Sequence, residues 1–247
     1  MKQYIITPAM GKRMIGTALT KHPFINEVLT EGTMVIIAGT TNGYVAEEIL
    51  KSIGQAERFD RNGFRRGVVT PIGFEPPDAE FPGDVVIKKG QWIRGKTIFD
   101  VVDDLDSGDL VLKGGNCFDQ RGQAAVHIGG SKGGTILAAL TAIIGRRVGL
   151  IVPVGLEKRV YEDVNLIAQR CIAPGAEGPR LMPMPGEVFT EIEAIHLWSG
   201  AQATLISAGG VYGAEGSVRL GINGTAEQMA DAQGFIINCS AESPCEV

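Results

Sequence analysis

Gly32-Thr33-Met34-Val35-Ile36-Ile37-Ala38-Gly39-Thr40-Thr41-Asn42-Gly43 is the stretch on which the fold turns. Residues 33–38 form an apolar run without alternation, the pattern of a strand buried on both faces. A polar loop bounded by Gly39 and Gly43 follows, and residues 44–53 read as a helix closed by Gly54. The unit recurs. Residues 109–112 run into Lys113-Gly114-Gly115-Asn116. Residues 124–128 run into Gly129-Gly130-Ser131-Lys132-Gly133-Gly134 and a helix over 135–144, and residues 148–152 run into Pro153-Val154-Gly155 and a helix over 156–170. Strands alternating with helices need crossover connections, so the fold class is α/β, a mostly parallel sheet with helices on both faces.

Outward from this frame, residues 9–29 read as helix with a break at Pro23. Residues 55–96, punctuated by Gly63, Gly67, Pro71, Pro76-Pro77 and Pro82-Gly83, read as an insertion of short strands and turns. After Pro174-Gly175-Ala176-Glu177-Gly178-Pro179 the texture changes. Strands at 181–184, 203–208, 217–222 and 235–238, with helices at 187–198 and 225–233, give the order β-α-β-β-α-β of a small ferredoxin-like α+β domain. The expected domains are therefore 1–178, an α/β ligand-binding unit, and 179–247, with residues 240–247 frayed.

The chain has 247 residues, of which 44% are hydrophobic and 21% charged, with net charge −5. That composition is globular and lacks the basic face that nucleic-acid binding requires, so no nucleic-acid partner is expected. No apolar run reaches the ~18 residues of a membrane span, and the N-terminal MKQYIITPAMGKRM has no apolar leader core. A cytoplasmic protein with no membrane partner is the expectation. Cys117, Cys171, Cys239 and Cys245 show neither C-x-x-C spacing nor a histidine at finger spacing, so no metal is assigned. The acidic residues between Asp100 and Asp109 fail the calcium-loop pattern and read as a solvated helix face. No cofactor is named by the sequence.

The 34 glycines, about twice the average share, fall singly or in pairs at strand ends. A strand that ends in glycine and then starts a helix leaves backbone N–H groups at the positive end of the helix dipole, where anions bind. In parallel sheets such loops gather at the strand carboxyl ends. Gly39, Thr40, Thr41 and Asn42 form the first candidate anion site. Gly114, Gly115 and Asn116 form the second, with Lys113 as the charge partner or, alternatively, a solvated strand-end lysine.

Gly130, Ser131, Lys132 and Thr135 form the third. Gly129 and Gly134 have the outline of a phosphate loop, but Thr135 stands where nucleotide hydrolysis needs lysine, so an anion loop and a tight turn both remain open. Lys158 lies in the first turn of its helix against the dipole, which calls for an acidic ligand or a buried carboxylate nearby, or else solvent. Asp119 is the candidate base, a helix cap being the other reading. His127 and His196 read as packed residues, and Cys117 as a buried thiol.

The 32–41 segment resembles the first strand and loop of the superfamily of ribose-5-phosphate isomerase, glucosamine-6-phosphate deaminase and the CoA-transferases. Lys113-Gly114-Gly115 is similar to the isomerase's Lys-Gly-Gly loop. Residues 148–164, with Val154-Gly155-Leu156-Glu157-Lys158, resemble the strand and helix start of lactate-utilisation domains of that fold. The resemblance implies a catalytic Lys113 and a cleft for a sugar phosphate, carboxylate or CoA thioester. The chain departs from the isomerase where its catalytic glutamate would fall, at Gly122 beside Gln120 and Arg121. Glu215-Gly216 lacks the surrounding motif of the CoA-transferase nucleophile.

The function expected is that of a metabolic enzyme, an isomerase or transferase acting on a small anionic metabolite, with Lys113 and Asp119 catalytic. The alternative is a non-catalytic sensor or assembly subunit using the same cleft. A homo-oligomer is expected, with residues 203–222 as its surface by analogy with ferredoxin-like folds. The Pro-rich 71–83 segment is the other place for a site.

Overall fold

The computed structural model describes residues 1–75, 77 and 80–243. Its centre is a six-stranded sheet in the order β10-β8-β5-β2-β3-β4. It is built from β2 (Thr33–Ile36), β3 (Val85–Lys88), β4 (Gln91–Trp92), β5 (Leu110–Leu112), β8 (Gly149–Pro153) and β10 (Glu187–Phe189). The strands β10, β8, β5 and β2 run parallel, and β3 and β4 continue antiparallel. Met34, Val35 and Ile36 pair with Leu110, Val111 and Leu112, and all six are fully buried. This is the both-faces burial that the unalternated run encodes.

Helices α1 (Pro8–Leu19), α2 (Pro23–Glu31), α3 (Thr40–Ser52), α4 (Ile98–Val101), α5 (Gly134–Arg146), α6 (Val164–Cys171), α7 (Glu191–Ser199) and α8 (Ala226–Cys239) complete the chain. Pro23 starts α2, where its missing N–H and fixed φ suit a first helical position. α1 packs closely on α3 because Gly16 has no Cβ; one there would stand 2.8 Å from the Tyr44 carbonyl oxygen. α3 begins at Thr40, directly after Gly39, so the polar loop of the sequence reading is itself the first turn of the helix.

The C-terminal third differs from expectation. Residues 235–238 are helical, the last turn of α8, because Ala232, Phe235, Ile236 and Cys239 recur at helical spacing and are all buried. Residues 187–189 form β10, and α7 starts only after Thr190, whose side chain and that of Glu193 make a capping box.

The strands β11 (Gln202–Ala208) and β12 (Val218–Asn223) pair with an N-terminal strand, β1 (Lys2–Ile6), in the order β1-β12-β11, all antiparallel. β9 (Arg180–Met184) joins β6 (Cys117–Phe118) and β7 (Ala124–Ile128) in a third sheet. The ferredoxin-like order is therefore not formed, and the analogy that put an oligomer surface on 203–222 loses its basis. The connection at residue 178 lies between α6 and β9. Across it β10 pairs with β8, and one hydrophobic core takes in residues from Ile6 to Cys239.

Near the C-terminus, Glu242 is anchored between Arg13 and Arg61, so the expected fraying does not begin at 240; residues 244–247, with Cys245, lie outside the described residues, as do Pro76, Asp78 and Ala79 of the insertion. No described helix is long and apolar enough to cross a membrane.

Candidate functional site

The connections that follow β2, β5 and β8 meet beyond the carboxyl ends of these strands; the first leads directly into α3, the second into β6 and the third into a short 3₁₀ turn, Leu156–Lys158. They enclose a cup of about 80 Å³, lined by Gly39, Thr40, Thr41 and Asn42 of the α3 N-terminus, Lys113, Gly114, Gly115 and Asn116 after β5, and Lys158 after β8. Nine of the fourteen candidate residues thus share one wall. Arg66 and Gly67 of the insertion close the cup, and they, Lys113 and Asn116 also line a second cavity of about 550 Å³. That larger cavity runs past His127 to Gly130, Gly134 and Thr135 at the start of α5.

The cup is fixed by hydrogen bonds beneath it. Asn42, fully buried, donates from Nδ2 to the Ile37 carbonyl at 2.7 Å and the Leu112 carbonyl at 3.0 Å, tying the ends of β2 and β5 together. Its Oδ1 and the buried Thr41 hydroxyl have no hydrogen-bond partner among the described residues. A buried polar atom of this kind normally finds one. The next intrahelical donor, the Gly43 N–H, already bonds Gly39, so the first-turn N–H groups of Thr40, Thr41 and Asn42 are those left for a ligand.

The charges are arranged around this helix end. Arg66 is held by Asp84, whose carboxylate is 1% exposed and also accepts from the Ala38 N–H at 3.0 Å and the Ile98 N–H at 2.8 Å. Lys158 donates to the Gly115 carbonyl at 3.1 Å. Burial lowers its pKa, and the carboxyls of Glu157 and Glu191 oppose the shift. Lys158 closes a three-residue 3₁₀ turn, Leu156–Lys158, and α6 begins only at Val164, so the helix dipole expected to oppose it is not there; the buried carboxyl in its field is Glu191, 1% exposed, which accepts from the Leu156 N–H at 2.9 Å.

Among the described residues the Lys113 amine has a single weak contact, 3.4 Å from Nζ to its neighbour's carbonyl at Gly114. Its pKa is lowered to about 8, chiefly by burial and also by Lys158 and Arg66, against the attraction of Asp84.

Asp119 is not in the site. It is buried beside the β6–β7 turn, where its carboxylate accepts from the backbone N–H groups of Arg121, Gln123 and Val164 and faces the Arg121 guanidinium. Burial raises its pKa, but those donors outweigh burial and hold it below the ordinary carboxylate value. A carboxylate so committed is a poor base, and the capping role is the one its bonds describe, since Val164 is the first residue of α6.

Lys132 is exposed and lines neither cavity, and Ser131 faces a separate groove between α5 and α6. The 129–134 loop turns its Gly129 and Gly130 carbonyls, not its N–H groups, onto Arg180, each at 2.9 Å. His127 and His196 are exposed rather than packed, His127 on the wall of the larger cavity. Cys117 is buried, and burial raises its pKa.

Arg66 and Asp84 complete the site and come from the irregular insertion. The adjacent basic pair Arg65-Arg66 marks the arginine in the sequence; nothing there marks Asp84. Comparison with protein-family models, curated proteins and solved structures finds no match to this chain.

Proposed function

We propose that the protein binds a small organic anion with its charged group in the cup at the α3 N-terminus and its body in the larger cavity, and acts on it as a metabolic enzyme. One observation carries the reading: Arg66, Lys113 and Lys158 converge on a helix N-terminus whose buried Thr41 hydroxyl lacks a partner among the described residues. Helix-end N–H groups with cations around them favour phosphate and carboxylate. The resemblance to the isomerase and CoA-transferase superfamily supports the same class of ligand, as does the shared use of residues 39–42 and 113–115. The sensor reading uses the same cup, and it is favoured by one feature: among the described residues lining the two cavities there is no carboxylate to act as a base.

Thermal-shift titration with inorganic phosphate, sugar phosphates, short carboxylates and CoA thioesters tests the binding. A ligand at 100 times its Kd adds about 2.7 kcal/mol, a rise of several degrees. The rise is expected to disappear in Lys158→Met. A flat response to every class would overturn the reading, and turnover of a binding ligand separates enzyme from sensor.

A further inference from the structure

We propose that Lys113 is a carbonyl-capturing amine, forming an imine with an aldehyde or ketone group of a ligand whose anionic end sits in the α3 cup. The inference rests on the anion reading above and adds the substrate class, an anionic carbonyl compound. Three arrangements carry it.

Lys113 lines both the cup and the larger cavity, so it stands where the charged end of a ligand gives way to its body. Unlike Arg66, which is paired with Asp84, and Lys158, which donates at 3.1 Å to Gly115, the Lys113 amine makes, among the described residues, only the 3.4 Å contact to Gly114. The acid whose charge acts on it, Asp84, has its oxygens taken by Arg66 and by the Ala38 and Ile98 N–H groups. The amine is thus unpinned and flanked by two other cations. That is the environment in which a lysine sheds its proton and becomes a nucleophile. Its lowered pKa, about 8, agrees.

The division of labour follows. The α3 N–H groups, Thr41, Arg66 and Lys158 hold the phosphate or carboxylate, which leaves the carbonyl carbon facing Lys113. The neutral amine adds to that carbon. A proton passes from nitrogen to the alkoxide oxygen, and with uptake of one more proton the oxygen leaves as water, giving a protonated C=N bond. No oxidant or reductant takes part. The larger cavity, walled by Val68, Phe99 and Val126 with Asn116 and His127 among them, holds the remainder of the molecule.

Pyridoxal 5′-phosphate, used only as a probe that joins an aldehyde to a phosphate, tests this. The protein is incubated with the probe, reduced with borohydride and mapped by peptide mass. One adduct is expected, on Lys113. It should be suppressed at least tenfold by excess inorganic phosphate, be absent in Lys113→Met and Lys113→Arg, and form less readily with pyridoxal, which has no phosphate. Lys158→Met should lower the yield but leave the adduct on Lys113.

Adducts scattered over surface lysines, or an adduct on Lys113 indifferent to phosphate, overturn the proposal. If calorimetry shows phosphate bound to the wild type while no Lys113 adduct forms, the carbonyl proposal fails and the anion reading stands. If neither binding nor adduct is seen, both fail.

Discussion

Arg66, which lines the cup, and Asp84 stand 3.3 Å apart, the guanidinium partly exposed and the carboxylate side chain fully buried. The aspartate does more than pair. It also accepts the Ala38 N–H, next to Gly39, and the Ile98 N–H at the start of α4. It therefore joins the end of β2, the insertion and α4 at one point. In Asp84→Asn one of the two oxygens becomes an NH₂ group facing N–H donors. Charge-assisted bonds of this kind are worth ~1.5–3 kcal/mol each, so a loss of at least ~2 kcal/mol is expected in urea denaturation, with weaker phosphate affinity. Asp84→Asn at wild-type stability would remove Asp84 as the anchor of Arg66.

Sulfate keeps a constant charge across the range in which Lys113 titrates, so its binding reports the lysine. The folded-state pKa is about 8, with Arg66, Lys158 and Asp84 as the charged groups around it. Below pH 8 the ammonium contributes to anion binding; above it the charge is lost. Sulfate affinity is expected to fall on the order of fivefold between pH 7 and pH 9.5, the worth of ~1 kcal/mol. Lys113→Arg, charged throughout, should flatten the profile. A steep decline retained in that variant would place the titrating group elsewhere.

The sequence made the parallel core and two of the three cations legible for a physical reason. A strand buried on both faces leaves an unalternated apolar run, and the residues just beyond it must lie at the sheet's carboxyl edge, so Thr40–Asn42, Lys113 and Lys158 could be placed together without knowing their contacts. Arg66 and Asp84 left no such trace, because the insertion has no periodicity to say which of its side chains turns inward. Asp119 stays open between base and cap in the sequence because a loop aspartate looks the same whether it faces a cleft or caps a helix distant in sequence. The 235–238 run reads as a strand because four residues are too short to show a helical period; Ala232, three residues before Phe235, supplies it.

Glu242 fastens the chain after α8 to α1 and to the insertion. Its two oxygens bond Arg13 Nε at 2.7 Å and Arg61 Nη2 at 2.9 Å, and both guanidinium groups lie over the Tyr44 ring, at 4.8 and 4.5 Å. Arg13 also pairs with Glu47 and Glu48, so it keeps partners when Glu242 is removed. Glu242→Gln is expected to cost ~1–3 kcal/mol, read by urea denaturation, with sulfate binding unchanged. A shift below about 0.3 kcal/mol would mean that the pair is no stronger than an exposed one.

Glu191 makes stability depend on pH in the direction opposite to most carboxylates. Its folded-state pKa is raised to about 8, chiefly by burial and also by Glu157, with the Leu156 N–H and Lys12 opposing the rise. The unfolded chain ionises near the ordinary value of ~4.3. Between these two values the unfolded state has released a proton that the folded state still holds, so folding loses up to ~1.4 kcal/mol per pH unit as pH rises, and the loss levels off above about 8. In Glu191→Gln the side-chain amide has no titratable proton and keeps an oxygen for the Leu156 N–H. The variant should therefore gain on the wild type steadily from pH 5 to pH 8, by about 2–4 °C in Tm for each ~1 kcal/mol. The gain should then hold constant to pH 9. A difference between the two proteins that does not change with pH would show that Glu191 is ionised in the folded state, and that Lys158 faces a full negative charge rather than a neutral acid.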